Sequence, residues 1–147
     1  MSSDSEPVFN QAWVGVASGP LSAPVLGRVV GMLAARADCP IDRLDDALLV
    51  ADAVAAKAGS FSEDGRIRAQ VVARLGSVEL QIGPLRDGGA NELIASAALP
   101  GVGNVLERVA DELEPQDGPD GHEYLLIRLD FHAQRPPTID RMESDVT

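Results

Sequence analysis

Aromatic residues make up only 3% of this chain, with one Trp, one Tyr and three Phe among 147 residues. A core must therefore be built from Leu, Val, Ile and Ala, and platforms for stacking nucleic-acid bases are scarce. Cationic residues are also few. Twelve Lys and Arg face 23 Asp and Glu, which leaves a net charge of −11. That field repels phosphate backbones and acidic membrane surfaces, and the Arg residues are scattered, so neither nucleic acid nor membrane is an expected partner. The single cysteine, Cys39, excludes an intrachain disulfide and fits a reducing cytosol. It precedes Pro40 with no His near it in sequence, which argues against a reactive thiol. No apolar stretch reaches the ~18 residues of a membrane helix. The opening MSSDSEP lacks a basic region followed by an apolar one, so no secretion signal is expected and the expected compartment is the cytoplasm.

What is present is 45% hydrophobic residues, enough for one domain with its own core. The sequence predicts a domain over residues 12–132, with 1–11 and 133–147 as flexible tails. Ala12 to Ala17 reads as a short strand, broken by Ser18-Gly19-Pro20. Val25, Leu26, Val29, Val30, Met32 and Leu33 have helical spacing over 22–37, with Ser22 as N-cap. Gly27 and Gly31 weaken that helix and leave room for close approach. Pro40 and Asp42 open a second helix, whose apolar stripe is Leu44, Leu48, Ala51, Ala55 and Ala58 and whose stop is Gly59. The period then changes to two. Ile67, Ala69, Val71 and Ala73, then Val78, Leu80 and Ile82, form an antiparallel hairpin about Gly76. A loop, GPLRDGGANE, follows. A third helix begins after Pro100, with Val102, Val105, Leu106, Val109 and Leu113 inward, and stops at Glu114-Pro115. EPQDGPDG reads as loop, and 122–132 as the last strand. Strand, helix, helix, hairpin, helix, strand predicts an α+β fold: a two-layer sandwich with a mostly antiparallel sheet and helices on one face.

Few residues are placed to carry chemistry. Asp52 is a carboxylate on a helix of Ala, Val and Leu, where it serves either as a general base or as part of a solvated edge. Lys57, five residues on, does not share its face. Gly101-Val102-Gly103-Asn104 opens the third predicted helix, and glycines there let backbone N–H groups approach an anion. A plain Pro-Gly turn explains the same residues. Asp87-Gly88-Gly89 reads as a surface turn. His122 and His132 stand ten residues apart in sequence, without metal-pair spacing.

Together these segments resemble the single-domain ATPase-kinases of the histidine-kinase-like superfamily, in particular the bacterial anti-sigma-factor serine kinases. The resemblance spans residues 12–132. That family's second helix reads like LAVSEAVTNAI, and LLVADAVAAKA, Leu48 to Ala58, aligns with it. Asp52 then stands at the catalytic glutamate and Ala56 at the asparagine that holds magnesium. The family's glycine-rich element reads like GxGLxLIxxLAD, and GVGNVLERVAD, Gly101 to Asp111, matches it. The resemblance therefore implies nucleotide contacts at Gly101, Gly103 and Asn104. The departures are as specific. Gly83-Pro84-Leu85 occupies the place of the adenine-reading Asp-x-Gly-x-Gly, and Asp87-Gly88-Gly89 comes late with the wrong spacing.

Each lost polar contact weakens binding by about 1.5–3 kcal/mol for hydrogen bonds to charged groups. The resulting expectation is a regulatory protein-binding module that resembles an anti-sigma factor, with kinase activity lost and no cofactor. Its partner would be a sigma factor or an anti-sigma antagonist, and it would form a homodimer. One alternative is a divergent serine kinase using ATP and Mg, with Asn91 or Asn104 supplying the metal amide. Another is a small-molecule sensor. The expected core includes Leu44, Leu48, Leu80, Ile82, Val102, Val105, Leu106, Leu125 and Ile127.

Overall fold

In the computed structural model, which describes residues 8–131, alternating side chains set the sheet and 3.6-residue spacing sets the helices. Strand β1 covers Val8–Ala17, helix α1 Ser22–Arg36 and helix α2 Ile41–Lys57. A 3-10 turn, Ala58–Phe61, leads to strands β2, Arg66–Arg74, and β3, Ser77–Leu85. Helix α3 is Gly89–Ser96, the two-residue strands β4 and β5 are Ala98–Leu99 and Gly103–Asn104, and helix α4 is Val105–Val109. Strands β6, Glu112–Asp117, and β7, Glu123–Asp130, complete the described chain.

The five long strands form one antiparallel sheet in the order β1-β2-β3-β7-β6. Its inner face carries Ile67, Val71, Val78, Leu80, Ile82, Leu125, Ile127 and Leu129, all buried. Against it lie Leu26, Val30 and Leu33 of α1, Val50, Ala51 and Val54 of α2, and Leu93 and Leu106 of α3 and α4. This is the α+β, antiparallel-sheet architecture that the change of periodicity predicts. The hairpin between β2 and β3 turns on Leu75-Gly76, with Gly76 at φ 81°. That left-handed value at the second turn residue, after Leu75 at negative φ, is the one a type II turn places on glycine.

Several expectations are corrected. β1 begins at Val8, four residues ahead of the predicted Ala12, because its ladder with β2 runs on to Arg74. The predicted tails otherwise fall on 1–7 and 133–147, outside the described residues, as does His132 at the end of the predicted last strand. The loop expected after β3 contains α3. The third predicted helix is one short turn, α4, and its expected C-terminal part enters β6. Pro115 sits in β6 because that strand is an edge, where a missing N–H is tolerated. Val102 lies before α4 and is 43% exposed, so it leaves the core, while Leu44 and Leu48 are half-buried at its margin. Ser22 is the first helical residue of α1, not its cap, and donates its hydroxyl to the Gly19 carbonyl at 2.7 Å. Pro40 takes the cap position of α2 in place of Asp42, without a side-chain cap bond. Gly59 does not stop α2 through a left-handed turn. A Cβ there would stand 2.8 Å from Ser18, so glycine permits the end of α2 to approach the end of β1.

Candidate functional site

The residues singled out by sequence fall on the helical side. On α2 a solvent-facing stripe runs through Asp45, Asp52 and Ala56, at spacings of seven and four residues. Asp52 is exposed, and its carboxylate has no hydrogen bond or ion pair among the described residues. Ala56, one turn on, presents a methyl group that cannot ligate a cation.

A groove of about 330 Å³ lies between α2 and the 102–109 segment, lined by Arg43, Asp46, Leu49, Val102, Val105 and Arg108. Its charged groups are already engaged. Arg43 donates to Asp46 at 2.9 Å, to the Val109 carbonyl at 3.2 Å, to the Asp130 carbonyl at 3.2 Å and to Asp111. Arg108 donates to the Val102 carbonyl at 2.7 Å. Arg43 thus ties α2 to the end of α4, to the start of β6 and to the end of β7.

Gly101 and Gly103 are exposed, at φ 77° and 89°. Asn104 faces the protein with both ends of its amide. Its Nδ2 donates to the Ile94 carbonyl at 2.7 Å, and its Oδ1 accepts from the Glu107 amide at 3.1 Å as the N-cap of α4. The five residues of α4 give few aligned peptide dipoles. The structure therefore brings Asn104 and α4 against the body of the fold but does not set Asp52 in the groove lining. Asn91, the other amide considered, is exposed on α3.

The Asp87-Gly88-Gly89 turn has a structural role that spacing alone did not reveal. Gly88 caps α3 at φ 80°. The Glu123 carboxylate, at the start of β7, accepts from the Gly88 amide at 3.0 Å and the Ala90 amide at 3.1 Å. The Gly88 bond, followed by the Ala90 bond, holds the Glu123 carboxyl below its ordinary value. The chain's own carboxylate occupies the anion position at this helix end.

Cys39 is half-buried, with Sγ 3.4 Å from the Pro40 carbonyl. Burial pushes its thiol up to about 11, so it stays protonated at neutral pH. His122 lies 3.3 Å from Glu63, and His132 falls outside the described residues. Among the described residues no group of three or more His, Cys, Asp or Glu could hold a metal ion. Nor is any described helix long and apolar enough to cross a membrane.

Sequence reasoning missed a second concavity, on the sheet face turned away from the helices. It encloses about 470 Å³ and is lined by Trp13, Arg66, Arg68, Gln70, Gln81 and Tyr124. The signal was the polar half of the β2 alternation, Arg66, Arg68 and Gln70, set beside the chain's one Trp. In comparisons with known proteins no family model matches this chain and no curated protein does, so the functional reading rests on the side chains themselves.

Proposed function

We propose that this chain is a regulatory protein-binding module of the histidine-kinase-like ATPase type, related in function to anti-sigma factors, in which phosphoryl transfer has been lost. The observation that carries the reading is an apolar stripe left outside the core on α1. Leu21, just before the helix, is 70% exposed, Val25 38% and Met32 56%. These positions recur at i, i+4 and i+11, which gives one face of a helix. Exposed Arg28, at i+7, shares this face, so the surface is three apolar side chains about one cation, and exposed apolar groups bordered by polar ones are characteristic of an interaction surface. A kinase role has little support. Ala56 offers no amide oxygen to magnesium, Asn104 is committed to capping, and Gly83-Pro84-Leu85 provides no acceptor for an adenine amino group.

The partner is a sigma factor or an anti-sigma antagonist, and the net charge of −11 favours one with a basic face. Self-association along the free edge of β1 accompanies this, in the cytoplasm, with no nucleotide required. The test is affinity capture from native lysate with identification by mass spectrometry, run beside a Leu21→Asp/Met32→Asp variant. A sigma factor or antagonist protein should be retained by the unaltered chain and lost with the variant, at unchanged melting temperature. Equal retention by both would remove α1 from the interface. A rise of several degrees in melting temperature with Mg-ATP would reinstate the kinase.

A further inference from the structure

We infer that the open face of the sheet carries a binding pocket for a small ligand: a flat aromatic or heteroaromatic ring bearing a single carboxylate or phosphate. The proposal does not depend on the α1 interface, because the pocket lies on the other side of the sheet.

The pocket is built from two neighbouring rows across the strands. In one row Trp13 pairs with Gln70, Gln70 with Gln81 and Gln81 with Leu126. In the next row Gly15 pairs with Arg68. Gly15 and Gly83 have no side chains to fill the space above the sheet. A Cβ on Gly15 would stand 3.9 Å from an Arg66 guanidinium nitrogen, and one on Gly83 would stand 2.7 Å from the Tyr124 ring. The same ring lies 2.7 Å from the Cβ position of Gly118. Gly83 and Gly118 thus let the Tyr124 ring lie close to the backbone, while Gly15 leaves open space beside the Arg66 guanidinium. The volume of the concavity, about 470 Å³, falls within the roughly 300–1,000 Å³ of ligand sites.

The lining specifies the ligand. Trp13 is 69% exposed, although so large an apolar side chain gains considerably from burial. Tyr124 supplies a second aromatic ring, fixed between its glycines. Arg68 is held by Asp64, at 2.6 Å and 3.1 Å. Among the described residues the Arg66 guanidinium has no ion-pair partner. Two guanidinium groups against one carboxylate leave one local positive charge on a chain of net −11, which matches a ligand with one anionic group. A nucleic acid would bring a run of phosphates against that net charge. The Gln70 and Gln81 amides donate sideways to Gln11 and Gln116, at 3.2 Å and 3.0 Å. Their carbonyl oxygens remain able to accept from a ring N–H or hydroxyl.

The test is a backbone-amide NMR titration of the full chain with 2-naphthoate, its neutral counterpart 2-naphthamide, and acetate as a ring-free anion. Shifts with 2-naphthoate should saturate and cluster on Trp13, Gly15, Arg68, Gly83 and Tyr124, and the two controls should bind at least tenfold more weakly. Arg66→Gln should weaken 2-naphthoate about tenfold, at roughly 1.4 kcal/mol per decade. Gly15→Val, whose Cβ has room, should fill the concavity and abolish the shifts without lowering the melting temperature. Equal binding of 2-naphthamide, shifts confined to α2 and α4, or unchanged affinity in Gly15→Val would each overturn the proposal. None of these results bears on capture of a protein partner by α1.

Discussion

Replacing Arg43 by Met should destabilise the fold by about 3.5 kcal/mol, more than any surface ion pair contributes. The aliphatic stem is retained, so the change isolates the guanidinium. In the native fold that group serves the Val109 and Asp130 carbonyls and the Asp46 and Asp111 carboxylates, with only 15% of the side chain exposed. Losing a charged donor at two carbonyls costs about 1.5 kcal/mol each, the low end for charged hydrogen bonds. The carboxylates are 38% and 41% exposed, so solvent reduces their share to about 0.5 kcal/mol together. With a urea slope of about 2 kcal/mol/M, the unfolding midpoint should fall by about 1.7 M. Arg43→Lys separates charge from geometry. A single ammonium cannot serve four acceptors in three directions, so Lys should recover less than half of the loss. Full recovery with Lys, or a loss below about 1 kcal/mol with Met, would refute the account, since either would reduce Arg43 to an ordinary surface charge.

Leu106→Ala should cost about 2–5 kcal/mol, because Leu106 is fully buried where α4 meets the core. By contrast Val102→Ala, at a 43% exposed position, should stay within about 0.5 kcal/mol in the same urea titration. Cys39, raised from 9.0 to about 11, should be alkylated at pH 8 at least tenfold more slowly in the native protein than in denaturant, and equal rates would contradict its burial. The Asp64 carboxyl is held at about 2, chiefly by its bond from Arg68. Its contribution to stability is therefore complete above the ordinary 3.8 and disappears as pH falls through about 2. An NMR carboxyl titration should show that low midpoint and its return towards 3.8 in Arg68→Gln.

The parts of the fold that could be read from sequence were those whose signals are local. Alternation in 67–82 and the Gly76 turn specify a hairpin by themselves, and the spacing from Leu26 to Leu33 specifies a helix. Helix α3 was obscured because its start, Asp87-Gly88-Gly89, has the composition of a loop. The group that satisfies its first amides is Glu123, 35 residues away from Gly88. Its apolar positions Ala90, Leu93, Ile94 and Ala97 do carry helical spacing, over only two turns. The segment around β6 misled in the opposite direction. Its apolar residues continue the α4 period, yet pairing with β7 takes them into the sheet, and an edge strand accepts Pro115. The candidate site was less legible still. Sequence gives the spacing of Asp52 and Ala56 along α2, but whether Asn104 faces a ligand or caps a helix depends on the Ile94 carbonyl ten residues back. The open-face pocket depends on four strands meeting and has no local signature.

The two edges of the sheet differ in a way that limits assembly. The β6 edge bears Pro115 with Glu112, Glu114 and Asp117, a combination that resists addition of another strand. The ten-residue β1 edge bears neither proline nor charge between Val8 and Ala17. Two copies joined along β1 would make one continuous ten-stranded sheet ending in β6 at both sides. Growth of this sheet would stop there, because among the described residues its one receptive edge in each copy is used once. The sequence of one outer strand thus confines edge-to-edge joining to a closed, two-fold pair and denies it the open repetition from which fibres form.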